Sequence, residues 1–361
     1  MKIGIDGFSL IRKDSGIEVY ARELVLGVAR GAPVELYAPT RITFDGLDNV
    51  DINVRSSNLE SPGTLRKLKW ELIDVSGLIS PEVSIYHTPH FILPYRLPNL
   101  RKVVTVHDLA FMRHPEFFDW KTRAYYHLFL RRSLALADAI ICISKSCMED
   151  LKRYFPSVSH KSHLVYNGFR DFSRVPADDS IFEILNLNSP YLLTIGTLNA
   201  RKNLEGSIKA YKRVAEKRDI DLVIVGAMPK HDLPVPVNDR RIHVTGFISD
   251  AHLAALYRNA ELFLFPSFYE GFGFPILEAM SCGLPVVTSD VSSMPEVSGY
   301  PSELLCDPSD VNSIFNLIES ILLETSRAKF REHAKLVTAR FSWNKMVEET
   351  IGVYEALQEN T

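Results

Sequence analysis

Residues 261–290, "ELFLFPSFYEGFGFPILEAMSCGLPVVTSD", read as strand, glycine-rich turn, short helix and second strand. Proline fits the first helical turn, where its missing N–H costs nothing, and glycine fits just past the last one. The helix is therefore expected from about Pro275 to Cys282, stopping at Gly283.

Outward from this stretch the same alternation recurs. "KIGID", "VELYAP", "VSIYHTP", "VVTVHD" and "AIICIS" come before it, then "YLLTIG", "DLVIVGA" and "RIHVTG". Continuous apolar strands separated by helices are the signature of parallel sheets covered on both faces, so the fold class is α/β.

A chain of 361 residues is too long for one ordinary core and favours two domains. Between "HLVYNGF" and "YLLTIGT" runs a polar, proline-bearing stretch of little periodicity, which reads as a linker. The expected division is 1–170, an N-terminal doubly wound domain, then 171–190 as linker, then 191–341, a C-terminal doubly wound domain. Helices are expected over about Pro308 to Leu323 and Thr325 to Arg340. In the last segment, 342–361, Trp343, Met346, Val347, Ile351, Tyr354 and Leu357 recur at helical spacing, giving an apolar stripe that could pack back across the boundary.

With 46% hydrophobic and 24% charged residues, the composition is that of a soluble globular protein. A net charge of -3 gives no global drive toward nucleic acid. The four cysteines, Cys142, Cys147, Cys282 and Cys306, show no paired spacing and read as reduced core thiols, which points to the cytoplasm. "MKIGIDGF" reads straight into a strand without a leader, and no apolar run approaches the ~18 residues that span a bilayer. Two basic aromatic stretches, Thr64–Ile73 and Trp120–Asp138, read as solvated faces over an aromatic core. Peripheral contact with the cytoplasmic face of an inner membrane is their alternative.

Ligands of open α/β sheets bind at the carboxyl ends of the strands. After "ELFLFPS", Gly271 and Gly273 let a phosphate approach the backbone at a helix N-terminus. A carboxylate beside a phosphate repels it, so Glu270 and Glu278 are expected to accept hydrogen bonds from hydroxyls on its two sides. For Glu278 the plain preference of acidic residues for helix N-termini is an equal reading.

In "YLLTIGTLNARKNLEG" a strand ends in the Gly196 turn, followed by Arg201, Lys202 and the cap Asn203. The two cations can clamp a diphosphate. Together these parts describe a nucleotide-sugar site.

In the N-terminal half, Gly16 near a helix start could approach the leaving phosphate or be a plain turn residue. His107, with Asp108 at the end of "VVTVHD", could project toward substrate or be structural. No metal-ligand spacing is present, so neither metal nor cofactor is expected.

Three stretches carry a resemblance: "GTLNARKNLEGSIKAYKRV", "IHVTGFISDAHLAALYRNAELFLFPSFYEGFGFPILEAMSCGLPVVTSDVSSMPEVSG" and "FSWNKMVEETIGVYEAL". They resemble the retaining family-four glycosyltransferases of GT-B fold, two doubly wound Rossmann-like domains facing a central cleft. The N-terminal half matches mainly at "DSGIEVYARELV", "VHDLAFMRHPEFF" and "ICISKSCMEDL".

The resemblance implies that Glu270 holds donor-sugar hydroxyls beside the Gly271, Phe272, Gly273 and Phe274 backbone, and that Glu278 holds the ribose. It implies further that Arg201 and Lys202 neutralise the diphosphate, that Gly16 and Gly196 line the donor site, and that His107 contacts the sugar near the reacting carbon. The implied catalytic group is His107, Arg201, Lys202 and Glu270.

"VHDLAFMRHPEFF" looks most like bacterial O-antigen mannosyltransferases using GDP-mannose and a lipid-linked or oligosaccharide acceptor. Open alternatives are a UDP- or dTDP-sugar donor (rhamnosyl, glucosyl or N-acetylglucosaminyl), a nucleotide-sugar 2-epimerase, and a non-catalytic nucleotide-sugar-binding partner.

Overall fold

The computed structural model describes residues 1–11, 15–57, 64–196, 200–226, 239–324 and 327–359. The expected helix start at Thr325 and strand end at Ala227 lie outside them. The chain divides into two compact units, Met1–Gly168 with Phe341–Thr361, and Phe169–Arg340.

Among the described residues the first unit holds seven parallel strands: β1 (Ile3–Asp6), β2 (Val34–Ala38), β3 (Ile52–Ser56), β4 (Ile85–Thr88), β5 (Arg101–Val106), β6 (Ala139–Cys142) and β7 (Ser162–Leu164). Their spatial order is β3-β2-β1-β4-β5-β6-β7. Its longer helices are α1 (Gly16–Val28), α2 (Thr64–Leu72), α4 (Trp120–Leu136) and α5 (Lys145–Tyr154), with the single turn α3 at Ala110–Arg113. The central strands β1, β4 and β6 are buried along their whole length. Their sequences are accordingly rich in apolar and small residues, and the polar members Asp6, His87 and Thr88 are hydrogen-bonded within the core.

The second unit places β8 (Tyr191–Ile195), β9 (Asp221–Val225), β10 (Ile242–Gly246), β11 (Leu262–Phe265) and β12 (Val286–Thr288) in the order β10-β9-β8-β11-β12, all parallel. Helices α6 (Ser180–Ile184), α7 (Leu204–Ala215), α8 (Asp250–Asn259), α9 (Phe274–Ser281), α10 (Met294–Ser298), α11 (Val311–Leu323) and α12 (Arg327–Thr338) surround the sheet. All ten expected strands are present. The two extra strands, β3 and β7, are edge strands.

The stretch 171–190, expected as linker, belongs to the second unit. Its short helix α6 sits beside α8, and Asp178 N–H donates to the Ala251 carbonyl. Burial of Ile181 anchors it.

The last helix, α13 (Trp343–Glu359), joins the first unit. Met346, Val347 and Tyr354 of its stripe enter the core around α1 and β1, with Trp343, Ile351 and Leu357 packed alongside. Gly27 makes this approach possible, since a Cβ there would stand 2.2 Å from Val347 Cγ2. At the heart of the contact the Tyr354 hydroxyl bonds His87 Nδ1 at 2.5 Å, while His87 Nε2 meets Thr105 Oγ1 at 2.8 Å. Burial drives the His87 pKa down to about 3, so the ring is neutral.

Candidate functional site

Two strand-to-helix loops of the second unit form one site. At the end of β8, a Cβ on Gly196 would lie 3.3 Å from Lys202 Cγ, so the glycine lets the lysine stem run close to the turn. Asn203 adopts a left-handed φ of 53° and caps α7, accepting from Gly206 N–H at 3.2 Å. Its Nδ2 donates to the carbonyls of Pro266 (3.0 Å) and Pro308 (2.6 Å). Phe268 N–H donates to the Arg201 carbonyl at 2.9 Å. The turn bearing Arg201 and Lys202 is thus tied directly to the loop bearing Glu270.

Glu270 is 6% exposed. Lys202 Nζ lies 2.6 Å from its Oε1, and an Arg201 guanidinium nitrogen 4.0 Å from its Oε2. Lys202 Nζ also stands over the Phe265 ring, 4.6 Å from its centre. Burial pushes the Glu270 carboxyl up, but the Lys202 and Arg201 charges outweigh it and hold the group below its ordinary value. Two cations against one carboxylate leave a net positive charge, suited to an anion.

The loop from Glu270 to Phe272 is clamped from behind. Ser292 Oγ donates to the Glu270 carbonyl at 2.6 Å and accepts from Glu270 N–H at 3.3 Å. Ser293 Oγ lies within 2.9 Å of the Glu270 carbonyl and 2.8 Å of the Phe272 carbonyl. Sequence reading missed both serines; the only local signal is a serine pair ahead of a short helix. Ser292 holds φ at 57°, a conformation non-glycine residues rarely take.

Gly273, with φ of 99°, turns the chain into α9. The helix runs Phe274–Ser281, one residue earlier than expected at each end, and closes as a Schellman turn: Gly283 N–H bonds Met280 and Leu284 N–H bonds Ala279. Glu278 lies one turn in, taking a hydrogen bond from the Tyr257 hydroxyl at 3.1 Å. Burial lifts its pKa to about 7; nearby Asp250 adds to the rise, while Tyr257, Arg170 and Lys202 oppose it. The two glutamates therefore differ in kind: Glu270 is locked as an anion, and Glu278 is poised near neutrality.

Gly16 and His107 belong to the first unit. Ser15 caps α1 by accepting from Glu18 N–H at 3.1 Å, and Gly16 is the first helical residue. One turn on, the Tyr20 ring meets His107 edge-on at 4.9 Å. His107 Nε2 donates to the Pro89 carbonyl at 2.6 Å, which leaves Nδ1 as the acceptor nitrogen of the neutral ring. Burial takes the His107 pKa down to about 4. The structure thus gathers Arg201, Lys202, Glu270 and Glu278 around one loop pair, with Gly196, Gly271, Phe272, Gly273 and Phe274 in its backbone. Separately, in the first unit, Gly16 opens α1 and His107 packs against Tyr20 of the same helix.

Among the described residues no helix is long and apolar enough to cross a membrane. All four cysteines are free thiols.

Two parallel-sheet units with loop sites at the strands' carboxyl ends define a GT-B protein. Sucrose-phosphate synthase from Thermosynechococcus elongatus shares this fold with a TM-score of 0.78 at 21% identity, each chain covered over 100% of its length. Anabaena HepE, solved in complex with UDP-glucose, gives 0.72 at 18% identity, covering 99% of this chain and 100% of that one.

Residues 15–171 match the description Glycosyltransferase Family 4, and residues 178–337 match Glycosyl transferases group 1. The O-antigen chain mannosyltransferase B of Escherichia coli is 33% identical over 305 residues, 81% of this chain and 78% of that protein. The chain belongs to the family-four glycosyltransferases.

Proposed function

We propose that this protein transfers an α-mannosyl residue from GDP-mannose to a lipid-linked or oligosaccharide acceptor in O-antigen-type polysaccharide assembly, with retention and without a metal ion. The observation that carries the reading is the cluster of Arg201, Lys202 and Glu270 beside the first turn of α9, with Glu278 one turn further on. Mannose as the sugar is supported by the 33% identical relative named for mannosyl transfer.

In this reading the net positive cluster and the α9 N-terminus receive the diphosphate. Glu270 keeps lone pairs beyond those facing Lys202 and accepts from donor-sugar hydroxyls, while Glu278 accepts from the ribose diol. His107 accepts a sugar hydroxyl at Nδ1. The acceptor oxygen attacks the anomeric carbon on the face from which the phosphate oxygen leaves. Its proton passes to that departing oxygen, and Arg201 and Lys202 stabilise the charge that develops there. The chain's contribution is position and field rather than a covalent intermediate.

The test is calorimetric titration with GDP, UDP, dTDP and ADP in metal-free buffer, followed by GDP-mannose turnover on an acceptor extract. Selective GDP binding with mannose transfer is expected. Selective UDP or dTDP binding would move the donor to another sugar, epimerised donor would indicate a 2-epimerase, and tight binding without turnover would indicate a binding partner. Contact with an anionic bilayer through α4, where Trp120 is 72% exposed beside Lys121 and Arg123, belongs to the same proposal and is read by vesicle sedimentation.

A further inference from the structure

Tyr20, His87, Thr105 and Tyr354 are each 0% exposed, and none of them has a part in the transfer step above. They come from α1, β4, β5 and α13 and form one hydrogen-bonded chain. The Tyr354 hydroxyl meets His87 Nδ1, His87 Nε2 meets Thr105 Oγ1, and Thr105 Oγ1 meets the Tyr20 hydroxyl at 2.9 Å. Burial pushes the pKa of His87 down and those of Tyr20 and Tyr354 up, so the whole chain is uncharged. A buried polar network whose members all have partners fixes one arrangement of its side chains where apolar packing would allow several.

The chain ends against His107. Thr105 and His107 stand two residues apart as β5 finishes, a spacing that puts both side chains on one face of the sheet. Strand β4 answers at the same two levels. His87 bonds Thr105, and the Pro89 carbonyl, two residues further on, accepts from His107 Nε2. Tyr20 spans both levels, with its hydroxyl on Thr105 and its ring edge-on to His107 at 85°. The Pro89 bond holds one nitrogen of the imidazole but tolerates rotation about its own axis. The plane of the ring is set by the Tyr20 ring packed across it, and the plane decides where Nδ1 faces.

We propose that Tyr20 is a positioning residue for His107, held in place by Thr105, His87 and Tyr354, so that the last helix of the chain sets the aim of the His107 ring. The aim matters because of the transferase reading, on which this inference rests and in which Nδ1 accepts a sugar hydroxyl. Helix α13 thereby acts on a group that it does not itself supply, through hydrogen bonds that cross two strands.

The experiment records NMR spectra of the full chain, with the His107 ring protons assigned from their loss in His107→Gln, alongside steady-state mannose transfer from GDP-mannose. In the wild type the Tyr20 ring should shift those signals and show a through-space contact to them. Thr105→Val keeps the shape of the side chain and removes the central hydroxyl. It should move the His107 signals and lower kcat about tenfold, as a misplaced contact group does, with GDP affinity unchanged. Thr105→Ser, which keeps the hydroxyl, should restore both. Tyr354→Phe cuts the chain at its far end and should act in the same direction, severalfold in kcat; it also carries the test if Thr105→Val does not fold.

His107 signals unmoved in both Thr105→Val and Tyr354→Phe overturn the proposal. So does a loss of kcat that Thr105→Ser shares, because packing and not the hydroxyl would then be responsible, and so does wild-type turnover while the signals move. Signals that follow the network in a protein that neither binds GDP nor transfers sugar would keep the link from α13 to His107 and remove the transferase reading. Mannose transfer by the wild type, with His107 indifferent to all three network variants, would do the reverse.

Discussion

Lys202 Nζ and Glu270 Oε1 stand 2.6 Å apart, although they come from two different strand-to-helix loops. Both side chains are largely buried, at 18% and 8% exposed. A lysine on a flexible stem would otherwise have to be ordered when an anion arrives. Here the carboxylate orders it beforehand, and preorganised charge of this kind acts without reorganisation during reaction.

Glu270→Gln should therefore disturb more than a sugar contact. It leaves Lys202 and Arg201 close together without a counter-charge, and breaking a buried pair costs about 3–5 kcal/mol. Urea unfolding should show a lowered midpoint alongside reduced transfer. The wild-type pair has the opposite signature to a raised acid: with the Glu270 pKa held down, its stabilisation is present above the ordinary carboxylate value and is lost as pH falls through the depressed one.

Arg201→Ala combined with Lys202→Ala should lower turnover at least tenfold, roughly 1.4 kcal/mol of barrier. Steady-state kinetics with saturating donor would check this. Full activity would remove the diphosphate clamp.

Glu278 should give nucleotide binding a pH dependence. Its pKa of about 7 means that it gains its proton on mild acidification and then loses the acceptor capacity a ribose diol needs. Calorimetric affinity should fall as pH drops from 8 to about 6. Glu278→Gln should bind weakly with that step absent; a variant of wild-type affinity would end the ribose assignment. Conformational stability moves the other way, because a carboxyl whose folded pKa is raised contributes most below its ordinary value, and that contribution is lost as pH rises through about 7.

Asn203→Ala removes a helix cap and leaves two loop carbonyls without their donor, while placing a side chain at φ of 53°. A loss of about 3 kcal/mol is expected. Asn203→Gly, which tolerates the backbone, should lose less. Equal losses would show that the backbone angle is not felt.

Activity should survive a chelator. Transfer measured after exhaustive treatment with EDTA checks this, and its complete loss, restored by a divalent cation, would replace the metal-free mechanism proposed above.

The parts of the fold that could be read from the chain were those whose burial leaves a mark on composition. Strands such as "LFLF" and "DLVIV" are buried throughout and stand out as apolar runs. β3, "INVRS", lies at the sheet edge half-exposed, and β7 is three residues long, so neither carries that mark. At the candidate site the chain disclosed the residue types suited to an anion and to hydroxyls. It did not disclose that Lys202 is paired with Glu270, nor that Ser292 and Ser293 grip the loop. Those contacts join loops from different strands and depend on three-dimensional packing. The proton position on His107 was equally hidden, because the Pro89 carbonyl sets it.

The docking of α13 bears on the order in which the protein is built. Tyr354 and its neighbours complete the core around α1 and close the bond to His87, yet they follow the whole second unit in the chain. During synthesis from the N-terminus, the unit begun first must wait with an open hydrophobic face until the other has emerged. The second unit, made from one continuous segment, can be finished while the first is still unfinished.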